Sequence, residues 1–269
     1  MNAKKLGLFI VSLLLLIIGA GCANEANGEG EVTLKVGASS VPHAEILEFI
    51  APDLEKEGIQ LDIVHSTDGI QTNQQTADKD LDANFFQHTP YLEQVNKDSG
   101  LDLVVVKGIH IEPFGVYSKE INAIGELSDG AQIAVPNNPS NFSRALTLFE
   151  ENGIIELNPS KDGDYTLEDI TKNEKNLKFV PVDPPLLVHS LKDVEASAIN
   201  TNYALEADLS PLEDSLIIED TDSPYVNVLV SRKDNQDSEA IQKLAEILTS
   251  DKVRNFIEDT YKGAVVPAF

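Results

Sequence analysis

The sequence predicts an α/β protein of two lobes with a ligand cleft between them, on three observations. Short apolar strand patterns alternate with amphipathic helical stripes along most of the 269 residues, the rhythm of a largely parallel sheet covered by helices. Two breaks marked by proline, one at 110–115 and one at Ser223-Pro224, make the stretch between them read as a second α/β region inserted into the first. Aromatic and polar side chains also gather at a strand-to-helix corner, residues 82–91. Ligands of open α/β sheets bind at such corners, beyond the carboxyl ends of the strands.

The first lobe opens with a strand over 32–37. Ser40-Val41-Pro42 then caps a helix with Ile46, Leu47, Ile50 and Leu54 at helical spacing, which Pro52 is expected to kink or restart. A second strand over 59–64 completes a βαβ unit. A polar loop over 66–73 and a short helix lead to the corner, where residues 81–85 read as a strand and Thr89-Pro90 as cap and first position of a helix running to Asp98. Residues 101–106 read as a strand buried on both faces. In the second lobe, strands are expected at 116–118, 132–135, 177–181, 196–200 and 216–219. A helix opened by Ser140-Asn141 carries the stripe Phe142, Ala145, Leu146, Phe149, and shorter helices fit 186–193 and 201–207. The chain then returns through a strand over 225–231 and helices over 239–249 and 251–261. The expected division is therefore 32–111 plus 225–269 for lobe 1 and 112–224 for lobe 2. A chain that crosses twice between lobes leaves a cleft on a hinge.

Ahead of these lobes, Lys4 and Lys5 precede an apolar run over 6–20 that ends at Gly21-Cys22. Fifteen residues are short for a membrane span of about twenty and suit the apolar region of a signal peptide, here 1–21. Cys22, the one cysteine, stands where a bacterial lipoprotein signal is cleaved and lipid is added, although Gly19 occupies a position where Leu is usual. Residues 22–31 then read as lipidated Cys and flexible tether, which places the protein at the cell membrane, anchored on its extracytoplasmic face. A formal net charge of −25 argues against nucleic acid and against electrostatic adhesion to anionic lipid.

Among groups able to do chemistry, Arg144 is expected in the first turn of the helix opened by Ser140-Asn141, where free N–H groups and a guanidinium fork can share one carboxylate. Asn200 ends a buried strand and Asn227 sits inside an apolar run; an amide in either place needs a partner, supplied by a ligand or by the backbone. The five histidines show no metal-binding spacing, no metal or other cofactor is expected, and no hydrolase or phosphate-binding motif is present. An enzyme is not expected. The alternative metal-binding reading uses His88, His110 and a carboxylate.

Five ordered motifs carry a resemblance: Asp82-Ala83-Asn84-Phe85-Phe86-Gln87-His88 with Pro90-Tyr91-Leu92; Glu112-Pro113-Phe114-Gly115-Val116-Tyr117-Ser118; Ala134-Val135-Pro136-Asn137 with Asn141 and Arg144; Ile199-Asn200-Thr201-Asn202-Tyr203-Ala204; and Ser223-Pro224-Tyr225-Val226-Asn227. From about Val32 to Phe269 the chain resembles the methionine-binding lipoprotein family (MetQ/NlpA type). The resemblance implies a type II periplasmic-binding-protein fold in a monomer that captures L-methionine and delivers it to the permease of an ATP-driven (ABC) importer. It implies that Arg144, with help around Asn141, binds the ligand carboxylate. Asn200 and Asn227 would hold polar backbone atoms including the ammonium, and Phe86, His88 and Tyr91 would line the thioether pocket. The family shows an aromatic where this chain has Gly69; the loss is expected to widen the pocket or relax its preference, toward another apolar amino acid or a methionine-containing dipeptide.

Overall fold

The computed structural model describes residues 32–269; the predicted signal peptide, Cys22 and the tether lie outside them. Strand β1 (Val32–Ala38) is followed by an irregular turn, Ser40–Ala44, and helix α1 (Glu45–Lys56). Next come β2 (Ile59–His65), α2 (Gly69–Ala77), β3 (Ala83–His88), α3 (Thr89–Ser99), β4 (Val104–Ile111) and β5 (Gly115–Tyr117). The chain continues through β6 (Gln132–Pro136), α4 (Pro139–Glu151), β7 (Glu156–Leu157), β8 (Ile170–Lys172), β9 (Lys178–Val182), α5 (Leu187–Ser190), β10 (Ala196–Ile199) and α6 (Thr201–Glu206). It ends with α7 (Pro211–Asp214), β11 (Ser215–Ile218), β12 (Val226–Ser231), α8 (Glu239–Leu248), α9 (Asp251–Tyr261) and β13 (Val266–Pro267).

Among the described residues, the strands form one six-stranded sheet in the order β13-β4-β12-β3-β1-β2, one five-stranded sheet in the order β11-β5-β10-β6-β9, and the small β7-β8 pair. The chain leaves the first large sheet after Ile111 and re-enters it at Val226, so the second is built wholly between those points. β12 returns into the middle of the first sheet, antiparallel to both β3 and β4. That register sets Asn227 opposite His88 on one side and His110 on the other, which brings three polar side chains to one level at the edge of the cleft.

Each sheet has its own core. In the first, Ile46, Leu47, Ile50 and Leu54 of α1 are fully buried among β1, α8 and α9, each worth about 1.5–3 kcal/mol in apolar burial. This face explains why α1 runs unbroken through Pro52, against the expectation of a restart: Pro52 lies on the exposed face, so its ring displaces no core contact. In the second, Phe149 of α4 packs edge-on against Phe179 of β9 at 5.2 Å between ring centroids and joins Phe114, Ile133 and Leu146. No described helix is long and apolar enough to cross a membrane.

Several boundaries differ from the sequence reading, each for a local reason. Ser40–Ala44 is not a helix cap, because extended Val41 (φ −117°, ψ 136°) breaks it into a turn that buries His43. α2 starts at Gly69 inside the expected loop, since Asp68 accepts a hydrogen bond from the Gln71 amide at 3.0 Å. His88, not Thr89, caps α3, its Nδ1 accepting from the Tyr91 amide at 3.1 Å. β4 begins later than expected and extends to Ile111, so His110 belongs to a paired strand rather than to a break. Asn138 caps α4, accepting from the Asn141 amide at 3.1 Å; Arg144 therefore lies in the second turn, and the helix start itself is not shared with it.

Candidate functional site

One cavity of about 530 Å³ opens between the two sheets and is lined by all seven residues singled out from the sequence: Phe86, His88, Tyr91, Asn141, Arg144, Asn200 and Asn227. Beneath it, a closed amide network fixes α2 onto β3. Asn73 and Gln87 exchange hydrogen bonds at 3.0 and 2.7 Å, and Asn84 donates to Thr76 Oγ1 at 2.9 Å. Two of the polar residues of the 82–91 corner, Asn84 and Gln87, are thus bonded to α2; the network holds Gly69 against the cavity wall.

Arg144 is buried, 3% exposed. Its Nε donates to Glu219 Oε1 at 3.0 Å, its Nη2 donates to Glu219 Oε2 and, at 2.8 Å, to the Glu112 carbonyl. The guanidinium stacks on Tyr225, 4.2 Å from the ring centroid, with Phe114 at 5.2 Å. Planar guanidinium forks favour this bidentate and stacked arrangement. Nη1 has no partner among the described residues, so an aligned, immobile donor faces the cavity. Nothing in the sequence signals that Glu219 and Tyr225, which flank the second crossing, orient it.

His88 joins the lobes. Its Nδ1 is used as the α3 cap, which fixes the proton on Nε2, and that atom donates to Asn141 Oδ1 of α4 at 3.0 Å. Asn200 Nδ2 donates to the same oxygen at 2.9 Å, while Asn141 Nδ2 donates to Asn138 at 2.8 Å. Asn141 is therefore a joint between lobes more than a free donor beside Arg144. Asn200 Oδ1, shielded from solvent, has no donor among the described residues, and Asn200 lines the cavity. Asn227 Oδ1 is taken by His43 Nε2 at 3.1 Å, which leaves its NH2 end, a donor, for the cavity.

The alternative metal reading paired His88 with His110. The structure keeps His88 on Asn141 and gathers His43, His110 and Glu112 instead, their ligating atoms within 4.8 Å of one another. His110 Nε2 lies 2.8 Å from Glu112 Oε1, and His43 Nε2 lies 3.3 Å from it. His43 Nδ1 faces the Ser39 hydroxyl at 2.7 Å, so its Nε2, set between two acceptors, carries the proton. The nitrogens a metal would need are those that donate to Glu112 and Asn227. Burial lowers the pKa of His43 to about 4 and of His110 to about 3; burial, then the Arg144 charge, lowers that of His88 to about 3. All three are neutral at pH 7. Burial pushes the Glu112 carboxyl above its usual range.

Phe86 and Tyr91 form an edge-to-face wall, centroids 6.3 Å apart. The place beside Gly69 is not open: a Cβ there would lie 2.7 Å from the Tyr91 hydroxyl and 2.8 Å from Phe86. The expectation of a widened pocket is corrected accordingly, since this chain's own aromatics close against the glycine.

A family model described as NlpA lipoprotein matches residues 34–269. The chain belongs to the NlpA lipoprotein family. Within it, the methionine-binding lipoprotein MetQ of Bacillus subtilis (strain 168) is 41% identical over 268 residues, 97% of this chain and 98% of that relative. The D-methionine-binding lipoprotein MetQ of Escherichia coli (strain K12) is 38% identical over 254 residues, 94% and 93% of the two chains. A solved structure of a nutrient binding protein from Burkholderia cenocepacia, bound to methionine, aligns with a TM-score of 0.85 at 38% identity, covering 88% of this chain and all of that one. The NlpA-family chain thus has the two-lobed periplasmic-binding-protein fold, as expected from the sequence.

Proposed function

We propose that this protein is an extracytoplasmic, lipid-anchored solute-binding protein that captures methionine as the free amino acid and passes it to an ABC importer. The observation that carries the reading is the pairing of free groups in one cleft: Arg144 Nη1 for a carboxylate and Asn200 Oδ1 for an ammonium, beside the Phe86 and Tyr91 wall. Sulfur against aromatic edges gains about 0.3–1.5 kcal/mol per contact. Relatives named for methionine binding support the ligand, and one solved relative is described as an ABC transporter periplasmic substrate-binding protein. Lipid on Cys22 would hold the domain beside its permease. Nothing in this role calls for catalysis.

A thermal-unfolding screen tests the ligand. The domain, unfolded and refolded to strip bound ligand, is melted with each of the twenty amino acids, D-methionine and methionine dipeptides. At a thousand times Kd a ligand adds about 4 kcal/mol, and each kcal/mol raises Tm by about 2–4 °C in a domain of this size. L-methionine is expected to give the largest rise among the twenty; a larger rise with another amino acid would overturn the assignment.

A further inference from the structure

The residues singled out from the sequence supply no acid for the ammonium of an amino-acid ligand, and the structure offers one. Three carboxylates line the cavity: Asp68, Asp183 and Glu112. Asp68 and Asp183 are exposed, whereas Glu112 is 5% exposed. It stands where the chain first passes between the sheets and lines the same cavity as Asn200 and Asn227.

Its surroundings are those of an anion lacking a full counter-ion. The His110 imidazole donates to Oε1 at 2.8 Å, His43 Nε2, which donates to Asn227, lies 3.3 Å from the same oxygen, and the Asn202 backbone N–H approaches the carboxylate, but both imidazoles are neutral. The nearby cation, Arg144, gives its fork to Glu219 and touches only the backbone carbonyl of Glu112. A buried carboxylate accepts about four hydrogen bonds and is costly without a positive partner. The cavity side of Glu112 is where that partner would sit; Asn200, whose Oδ1 has no donor among the described residues, lines the same cavity.

We infer that Glu112 is the counter-ion of the ligand's α-ammonium, held in place by His43 and His110, and that it selects ligands with a free amino group next to the carboxylate. The inference rests on the amino-acid reading of the same cleft and adds a specificity determinant to it. Arg144 and the Asn227 amide take the carboxylate end; Glu112 and Asn200 take the ammonium end. A dipeptide, whose amino group lies a residue away from its carboxylate, cannot satisfy both ends at once.

The test is calorimetric titration of stripped wild type and Glu112→Gln with L-methionine and with its des-amino analogue, 4-(methylthio)butanoate. Wild type is expected to prefer L-methionine by about a hundredfold or more, the scale of a buried charge pair that loses one member. Glu112→Gln is expected to lose most of that preference through weaker methionine binding, with the des-amino affinity within about tenfold of wild type. Equal weakening of both ligands, or methionine binding left within about tenfold, would overturn the role of Glu112. Should the variant not fold, the wild type alone decides: similar affinity for both ligands refutes the inference. Wild type that binds neither ligand refutes the methionine reading beneath it.

Discussion

Acidification should destabilise this fold well above the usual carboxylate range, through three histidines. His43, His88 and His110 are buried neutral, with pKa values lowered to about 4, 3 and 3, whereas in the unfolded chain each returns to about 6.5. A lowered folded pKa means that the unfolded state binds more protons between the two values. The stability each histidine contributes is complete above about pH 6.5 and is lost as pH falls toward the folded value. From pH 7 to pH 5 the loss is about 2 kcal/mol for each, or roughly 5–6 kcal/mol together, against a total stability of about 5–15 kcal/mol. Glu112 acts in the opposite sense. Its raised pKa makes the folded state the better proton binder in its window, so acid returns part of the loss. Urea titration at pH 7, 6 and 5 in about 1 M salt, where surface charges are screened beyond about 3 Å, measures the sum. His88→Asn should flatten the slope between pH 6 and 5 by about 1.2 kcal/mol per pH unit. Equal stability at pH 7 and 5, or an unchanged slope in the variant, would refute the buried-neutral assignment.

Three further outcomes are expected. Arg144→Ala should weaken methionine binding by about 2 kcal/mol or more and lower stability by about 3–5 kcal/mol, because Glu219 is left without its partner; calorimetry and urea titration read the two effects separately. Gly69→Ala should weaken binding, since its Cβ needs the space held by Tyr91 and Phe86 and overpacking costs about 1–3 kcal/mol; affinity equal to wild type would show that the wall yields freely. Asn141→Ala removes the acceptor shared by His88 and Asn200 and should shift small-angle scattering of the liganded protein toward a more open pair of lobes, with a higher Kd.

The alternation of elements was legible because it follows from local periodicity: the α1 stripe, the β12 run and the α8 face each appear in the structure within a few residues of the expected bounds. The second large sheet is built from the stretch between Pro113 and Pro224, the two places where proline interrupts the sequence pattern. Partnerships between distant residues were not. Arg144 and Glu219 lie 75 positions apart, and His43 and Asn227 lie 184 apart; no spacing rule connects them. Glu112 was read only as part of a motif, and nothing local told its buried carboxylate from any other acid in so acidic a chain. The β7-β8 pair and β13 escaped notice because strands of two or three residues carry no period. Gly69 misled for a different reason: a missing side chain says nothing about which neighbours move into its place.

The central claim is that the cleft between the two sheets binds methionine as a zwitterion, and calorimetric titration of stripped residues 31–269 with L-methionine tests it most directly. Binding at micromolar Kd or tighter, roughly −8 kcal/mol or better, is the expected result. No heat and no displacement of a bound competitor, from a domain shown to be folded, would contradict it.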